Sequence, residues 1–245
     1  MPGGAANVAR NLTTLHAATE LLAIVGRDEA ARRLSLLLRE ANVGCDGLLR
    51  QAGRPTTIKT RIIAHQQQVV RVDREACAAL DGRMRRRLMT ALEGKLARAD
   101  AVLVGDYGKG VVTQTLLDEI KMLCRARGIW LSFDPKPVHP LNLHGLSLIT
   151  PNRKEAFELA GVTDNLRASD PLNDVPLLRA ADKLLNDLHP ALLLITLGDQ
   201  GMLLCQRGHK PFHIPTAAQE VFDVSGAGDT VIASFTLAIA AGASP

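Results

Sequence analysis

Five short, mostly apolar runs limit what this chain can fold into: residues 21–25, 101–104, 130–133, 146–150 and 192–196. Each is too short for a helix and too continuous for a strand with one wet face. Each therefore reads as a strand buried on both faces. Between them, residues 29–40, 83–98, 113–127 and 175–188 read as helices. Strands alternating with helices imply an α/β fold: a mostly parallel central sheet with helices on both faces, in three layers. The 245 residues suffice for one such domain, and no repeat or linker divides them. Residues 56–63 and 68–73 are β-rich and roughly alternating, with His65, Gln66 and Gln67 as a turn, which predicts a hairpin over about 55–73 with one face exposed. Residues 202–205 and 212–214 read as short strands.

Polar groups fall repeatedly just past the predicted strands: Asp106 and Lys109, Asp134 and Lys136, Asn152 and Glu155, Thr196 and Gly198. The carboxyl ends of parallel strands are where α/β proteins build sites. A solvated loop accounts for any one of these clusters, and four along one sheet edge are harder to explain so. The glycine turn at 105–110 lacks the spacing of a P-loop.

The stretch 223–229, Asp-Val-Ser-Gly-Ala-Gly-Asp, precedes an apolar run at 230–241. Length and alanine content favour a helix there, with Ser225 as its N-cap. Gly226, Ala227 and Gly228 would leave backbone N–H groups open at that terminus, where the helix dipole also favours an anion. Asp229 is out of place beside an anion unless it has a task. Taking a proton from a hydroxyl that attacks phosphorus is such a task. The plain alternative is a capped core helix with an acid in its first turn.

Composition narrows the classes. The net charge is +4, and the one arginine cluster, Arg83, Arg85, Arg86 and Arg87, suits the solvated face of a helix. With one Trp, one Tyr and five Phe, little is present to stack bases, so no nucleic-acid role is expected. Cys45, Cys77, Cys124 and Cys205 are widely spaced, as in a reduced, cytoplasmic compartment. No apolar stretch reaches the length of a membrane span, and the start lacks the apolar core of a signal peptide.

The stretch 223–229 resembles the second signature of the ribokinase-like (PfkB) carbohydrate kinases, D-x-x-G-A-G-D. Gly3, Gly4 and Asn7 resemble the first, G-G-x-x-x-N, and Asn152 to Glu155 resemble N-x-x-E. The resemblance implies a ribokinase-like three-layer sandwich over 1–245 with a small β lid that often pairs with a second subunit's lid. It makes Asp229 the catalytic base and Gly226, Ala227 and Gly228 the anion hole, braced by Asp223. It puts Gly3, Gly4 and Asn7 on the sugar. It places ATP near Asn152, Arg153, Lys154, Glu155, Thr196 and Gly198, with Mg²⁺ at Asn152 and Glu155 through water. Asp106, Lys109 and Lys136 face the substrate, the lysines as point charges for a phosphate or else as surface residues.

Several segments, among them PGGAANVARNL (2–12), VGDYGKGV (104–111) and LITPNRKEAFELAG (148–161), are similar to a narrower branch, the D-glycero-β-D-manno-heptose 7-phosphate kinases. Against that pattern the chain reads as truncated at both ends. A first strand with a sugar-binding Asp is expected before Gly3, and helices walling the adenine are expected after residue 245, so weak turnover is expected of residues 1–245 alone. Two other readings stay open: a family kinase for another sugar or a nucleoside, and a catalytically silent ribokinase-like binding protein.

Overall fold

The computed structural model describes residues 1–64, 67–217 and 226–244. Ten strands and seven α-helices occur among them. In chain order they are α1 (Ala5–Thr14), β1 (Ala23–Val25), α2 (Glu29–Glu40), β2 (Leu48–Arg50), β3 (Ile58–Ala64), β4 (Gln67–Arg74), α3 (Gly82–Leu96), β5 (Ala101–Gly105), α4 (Gln114–Ala126), β6 (Trp130–Asp134), β7 (Leu148–Ile149), α5 (Arg153–Ala160), α6 (Val175–Leu188), β8 (Leu192–Thr196), β9 (Met202–Cys205), β10 (Phe212–Ile214) and α7 (Ala227–Ala240).

The central sheet has six strands in the order β10-β9-β8-β7-β6-β5. β5 to β8 run parallel, and β9 and β10 add two antiparallel strands at one edge. Successive side chains of a strand point to opposite faces, and the core divides accordingly. Leu193 and Ile195 of β8, Leu131 and Phe133 of β6, and Leu203 and Cys205 of β9 join the helices α3 to α6 in one cluster. Leu192 and Leu194, with Leu148, Trp130, Met202 and Leu204, turn the other way onto Val231, Phe235 and Ile239 of α7. Leu103 faces the same way, onto Val8 of α1 and Ile232 and Ala233 of α7. Three layers result, and the continuous apolar runs follow from burial on both faces.

Polar side chains start the helices as their positions require. Asp28, Asp81, Thr113, Asn152 and Asp174 each accept a hydrogen bond from a first-turn amide. Gly161, in the left-handed region at φ 60°, ends α5.

Two expectations are corrected. Residues 21–25 do not add a strand buried on both faces to the main sheet. Only Ala23–Val25 is extended, and it pairs in parallel with β2 alone. β2 is three residues long, too short to register as a period in the sequence. The run 146–150 likewise yields only Leu148–Ile149 as a strand, held between β6 and β8. The hairpin is present as β3 and β4, while its turn at 65–66 lies outside the described residues. The side chains of Ile62, Val69, Val70 and Val72 are exposed on it. No helix among the described residues is long and apolar enough to cross a membrane.

Phe133 is fully buried at the centre of the larger cluster. Phe133→Ala is expected to cost about 3–5 kcal/mol of unfolding free energy; urea denaturation followed by circular dichroism measures it.

Candidate active site

α7 begins at Ala227, with Gly226 in the capping position at φ 88° and without a side-chain cap. The start therefore falls at Gly226 rather than at Ser225. Ser225 and Asp223 lie outside the described residues, and with them the expected brace. The left-handed backbone favours glycine at 226, and so does the space: a Cβ there would stand 2.8 Å from Asn7 Nδ2. Ala227 and Gly228 are exposed at the helix terminus.

Asp229 sits in the first turn of this helix and is held from two other elements. Asn7 Nδ2 of α1 donates to its Oδ2 at 2.9 Å. Tyr107 Oη, from the loop after β5, donates to its Oδ1 at 3.2 Å. One turn along, Asn11 Nδ2 donates to Thr230 Oγ1 at 3.0 Å. α1 and α7 are thus pinned by polar contacts above the apolar packing of Val8 on Ile232 and Ala233.

The polar strand ends meet at one edge of the sheet. Asp106 N donates to Asp134 O at 2.9 Å, Thr150 Oγ1 reaches Asp134 Oδ1 at 3.4 Å, and Asn152 bridges in parallel to Thr196. Burial pushes the Asp134 carboxyl up to about 7, helped by the negative charges of Glu155 and Asp229 and opposed by Thr150 and Lys136. Asp106 is only 3% exposed. The amide of Gly108 takes its Oδ1 at 2.9 Å, and its Oδ2 is buried without a hydrogen-bond partner, 3.8 Å from His139 Nε2. Burial raises its pKa as well, against the Gly108 amide and the charges of His139 and Lys136.

Asn152 and Glu155 form a reciprocal capping box at the start of α5. Asn152 Oδ1 accepts from Glu155 N, and Glu155 Oε2 accepts from Asn152 N, each at 3.0 Å. Glu155 Oε1 accepts from Lys136 Nζ at 2.8 Å, which raises the lysine's pKa. These groups line a cavity of about 250 Å³ with Pro137, Val138, Lys154 and Glu158. The other expected residues are placed as follows. Arg153 turns away from the cavity, its guanidinium bound by Asp164 and Asp174. Lys154 extends to Glu158 at 3.7 Å. Thr196 N donates to Pro151 O, and Gly198, at φ 67°, opens a tight turn. Lys109 pairs with Glu75 at the base of the hairpin. A Cβ on Gly4 would meet the Tyr107 ring at 3.2 Å, whereas Gly3 borders open space.

Tyr107, Thr150 and His139 belong to this edge and escaped the sequence reading as site residues; Asp134 was marked only as one of the polar strand ends. Tyr107 left one sign: it is the chain's single tyrosine, set just past the end of β5.

No group of three or more His, Cys, Asp or Glu able to hold a metal occurs among the described residues. The oxygen donors and clustered carboxylates suit a hard cation bound through its waters. Open amides at a helix start, a carboxylate in its first turn and oxygen donors at the ends of the parallel strands are the parts that phosphoryl transfer needs.

The comparisons agree. The pfkB carbohydrate kinase family matches residues 1–245. The bifunctional protein HldE of Desulfatibacillum aliphaticivorans is 40% identical over 242 residues, covering 99% of this chain and 48% of that protein. HldE of Geobacter sulfurreducens is 39% identical over 240 residues, covering 98% and 48%. The chain spans about half the length of these curated relatives. Among solved structures, Escherichia coli phosphofructokinase-2 in complex with potassium superposes with a TM-score of 0.78 at 21% identity, covering 98% of this chain and 75% of that one. Arabidopsis thaliana ribokinase complexed with ribose and ATP gives 0.73 at 19% identity, covering 98% and 74%. The fold is thus ribokinase-like, and the chain belongs to the pfkB family of carbohydrate kinases.

Proposed function

We propose that this chain transfers the γ-phosphoryl group of ATP to the anomeric hydroxyl of D-glycero-β-D-manno-heptose 7-phosphate, giving the 1,7-bisphosphate on the route to ADP-heptose and lipopolysaccharide core. The observation that carries the reading is Asp229, gripped by Asn7 and Tyr107 beside the open start of α7. The heptose rests on the segments similar to that branch of the family and on the two HldE relatives.

Asp229 accepts the proton of the attacking hydroxyl. The amides at Gly226 to Gly228 face the charge that spreads over the transferring phosphoryl oxygens, where the helix dipole adds to their effect. Asp223 would brace that turn. Asn7, Gly3, Gly4 and Asp106 border the sugar, and the unpartnered Asp106 oxygen is an acceptor ready for a hydroxyl. Lys109 and Lys136 would exchange their carboxylate partners for the substrate phosphate. Asn152, Lys154, Glu155, Thr196 and Gly198 lie on the nucleotide side, and Arg153 would reach it only by leaving Asp164 and Asp174. Mg²⁺, held through water by Asn152 and Glu155, would offset phosphate charge. The exposed apolar side chains of the hairpin suit pairing with a second copy as a homodimer, and the unpaired cysteines suit the cytoplasm.

The deciding assay is ADP release against heptose 7-phosphate, fructose 6-phosphate, ribose and a nucleoside. It is run on this chain and on a version extended by its flanking coding sequence. Turnover of another sugar in preference to the heptose phosphate would reassign the substrate, and no turnover of any would leave a binding protein. Asp229→Asn keeps the shape and loses the base, so the rate should fall roughly 10²–10⁴-fold. Glu155→Gln should raise the Mg²⁺ concentration needed for half-maximal rate, while an unchanged titration would leave Glu155 as a capping residue only.

Asp134 gives a pH signature. Its folded-state value, about 7, stands above the ordinary 3.8. Its neutral form therefore stabilises the fold below about pH 4, and that contribution is lost as pH rises toward 7. In metal-free buffer the melting temperature should decline across this window, and less so in Asp134→Asn.

A further inference from the structure

Both oxygens of Asp229 are engaged in the protein itself. Asn7 Nδ2 approaches Oδ2 at 2.9 Å and Tyr107 Oη approaches Oδ1 at 3.2 Å. Each carboxylate oxygen has room for two hydrogen bonds, so among the described residues one acceptor direction on each remains open. Fixing both oxygens fixes the plane of the carboxylate, and with it those open directions.

Tyr107 is well placed to fix one of them. Its ring lies over two glycines: a Cβ on Gly4 would fall 3.2 Å from Cζ, and one on Gly105 would fall 2.9 Å from Cε2. Any side chain at 105 would displace the ring. The hydroxyl of so confined a ring has little freedom except toward Asp229. The charged groups facing the phenol are Asp229 on α7 and Asp134 at the end of β6. Burial first, then these charges, push the phenol well above its ordinary range, so it keeps its proton and remains a donor.

We propose that Tyr107 is a positioning residue for the base: its hydroxyl holds Oδ1 of Asp229 so that the open acceptor direction meets the attacking hydroxyl of the sugar. This rests on the reading of Asp229 as the base. General-base transfer demands hydrogen-bond reach and alignment before anything else, and small misplacements of a reacting group are costly.

Two measurements test it. Tyr107→Phe keeps the ring between Gly4 and Gly105 and removes only the hydroxyl. Its kcat should fall roughly tenfold, with KM for ATP and for the sugar phosphate little changed and the melting temperature kept. An unchanged kcat overturns the proposal, as does a loss wholly in KM. The second measurement needs no turnover, so it separates this contact from the assignment of substrate. The chain has a single tyrosine, so 3-fluorotyrosine labelling yields one fluorine resonance for Tyr107. In Asp229→Asn the fluorine resonance at neutral pH should move from its position in the unsubstituted protein. Coincident resonances would mean that the hydroxyl does not face the carboxylate, and would overturn the proposal whether or not the protein proves to be a kinase.

Discussion

The packing of α7 across one face of the sheet fixes where its first turn must lie. Val231, Phe235 and Ile239 bury against Leu148, Leu192 and Leu194, while Ile232 and Ala233 bury against Val8 of α1. The face of α7 that carries Thr230, Ser234 and Ala238 is exposed, and α1 and the sheet cover the opposite, apolar face. Burying aliphatic and aromatic side chains at about 1.5–3 kcal/mol each gives this arrangement far more weight than any polar contact at its end. The polar contacts then act on a helix already placed. Asn7 and Tyr107 decide the orientation of one carboxylate, and the apolar packing decides its position.

The same strand alternation explains why the site is polar and crowded. β5, β6, β7 and β8 are parallel, so all four end at one edge. Each delivers a polar residue there: Asp106, Asp134, Asn152 with Glu155, and the turn beyond Thr196. Burial first, and then the repulsion of the neighbouring Glu155 and Asp229 carboxylates, raises the pKa of Asp134. Lys136 and His139 offset part of the charge. Such clustering costs stability, which is why perturbed carboxyls mark functional sites more often than structural ones.

The sheet core and the long helices were legible because long-range burial had already imposed itself on the sequence. Residues 192–196 alternate between two cores, and a strand buried on both faces has no polar alternation to lose. β2 and the shortened β1 were not legible, because three residues carry no period. Nor was Tyr107. Its place at the site comes from a contact 122 positions away, and nothing local to residue 107 encodes Asp229. Gly105 was equally mute. Gly4 reads in the sequence as a sugar contact, and nothing there shows that it and Gly105 make room for that ring.

Asn152 and Glu155 show a different limit. Read in sequence, N-x-x-E suits oxygen donors one helical turn apart. Read in structure, the same spacing is a complete capping box, worth about 1 kcal/mol to the helix on its own. The two roles draw on one geometry, since a cap requires side-chain oxygens one turn apart at a helix start. They compete for different atoms, however. The box uses Asn152 Oδ1 and Glu155 Oε2, while Glu155 Oε1 is committed to Lys136, an amine that nearly half faces solvent. The carboxylate is buried and the amine is not, so the amine can leave for solvent provided that another positive group takes its place. A hydrated cation could therefore exchange with it while the cap, and with it the start of α5, stays intact.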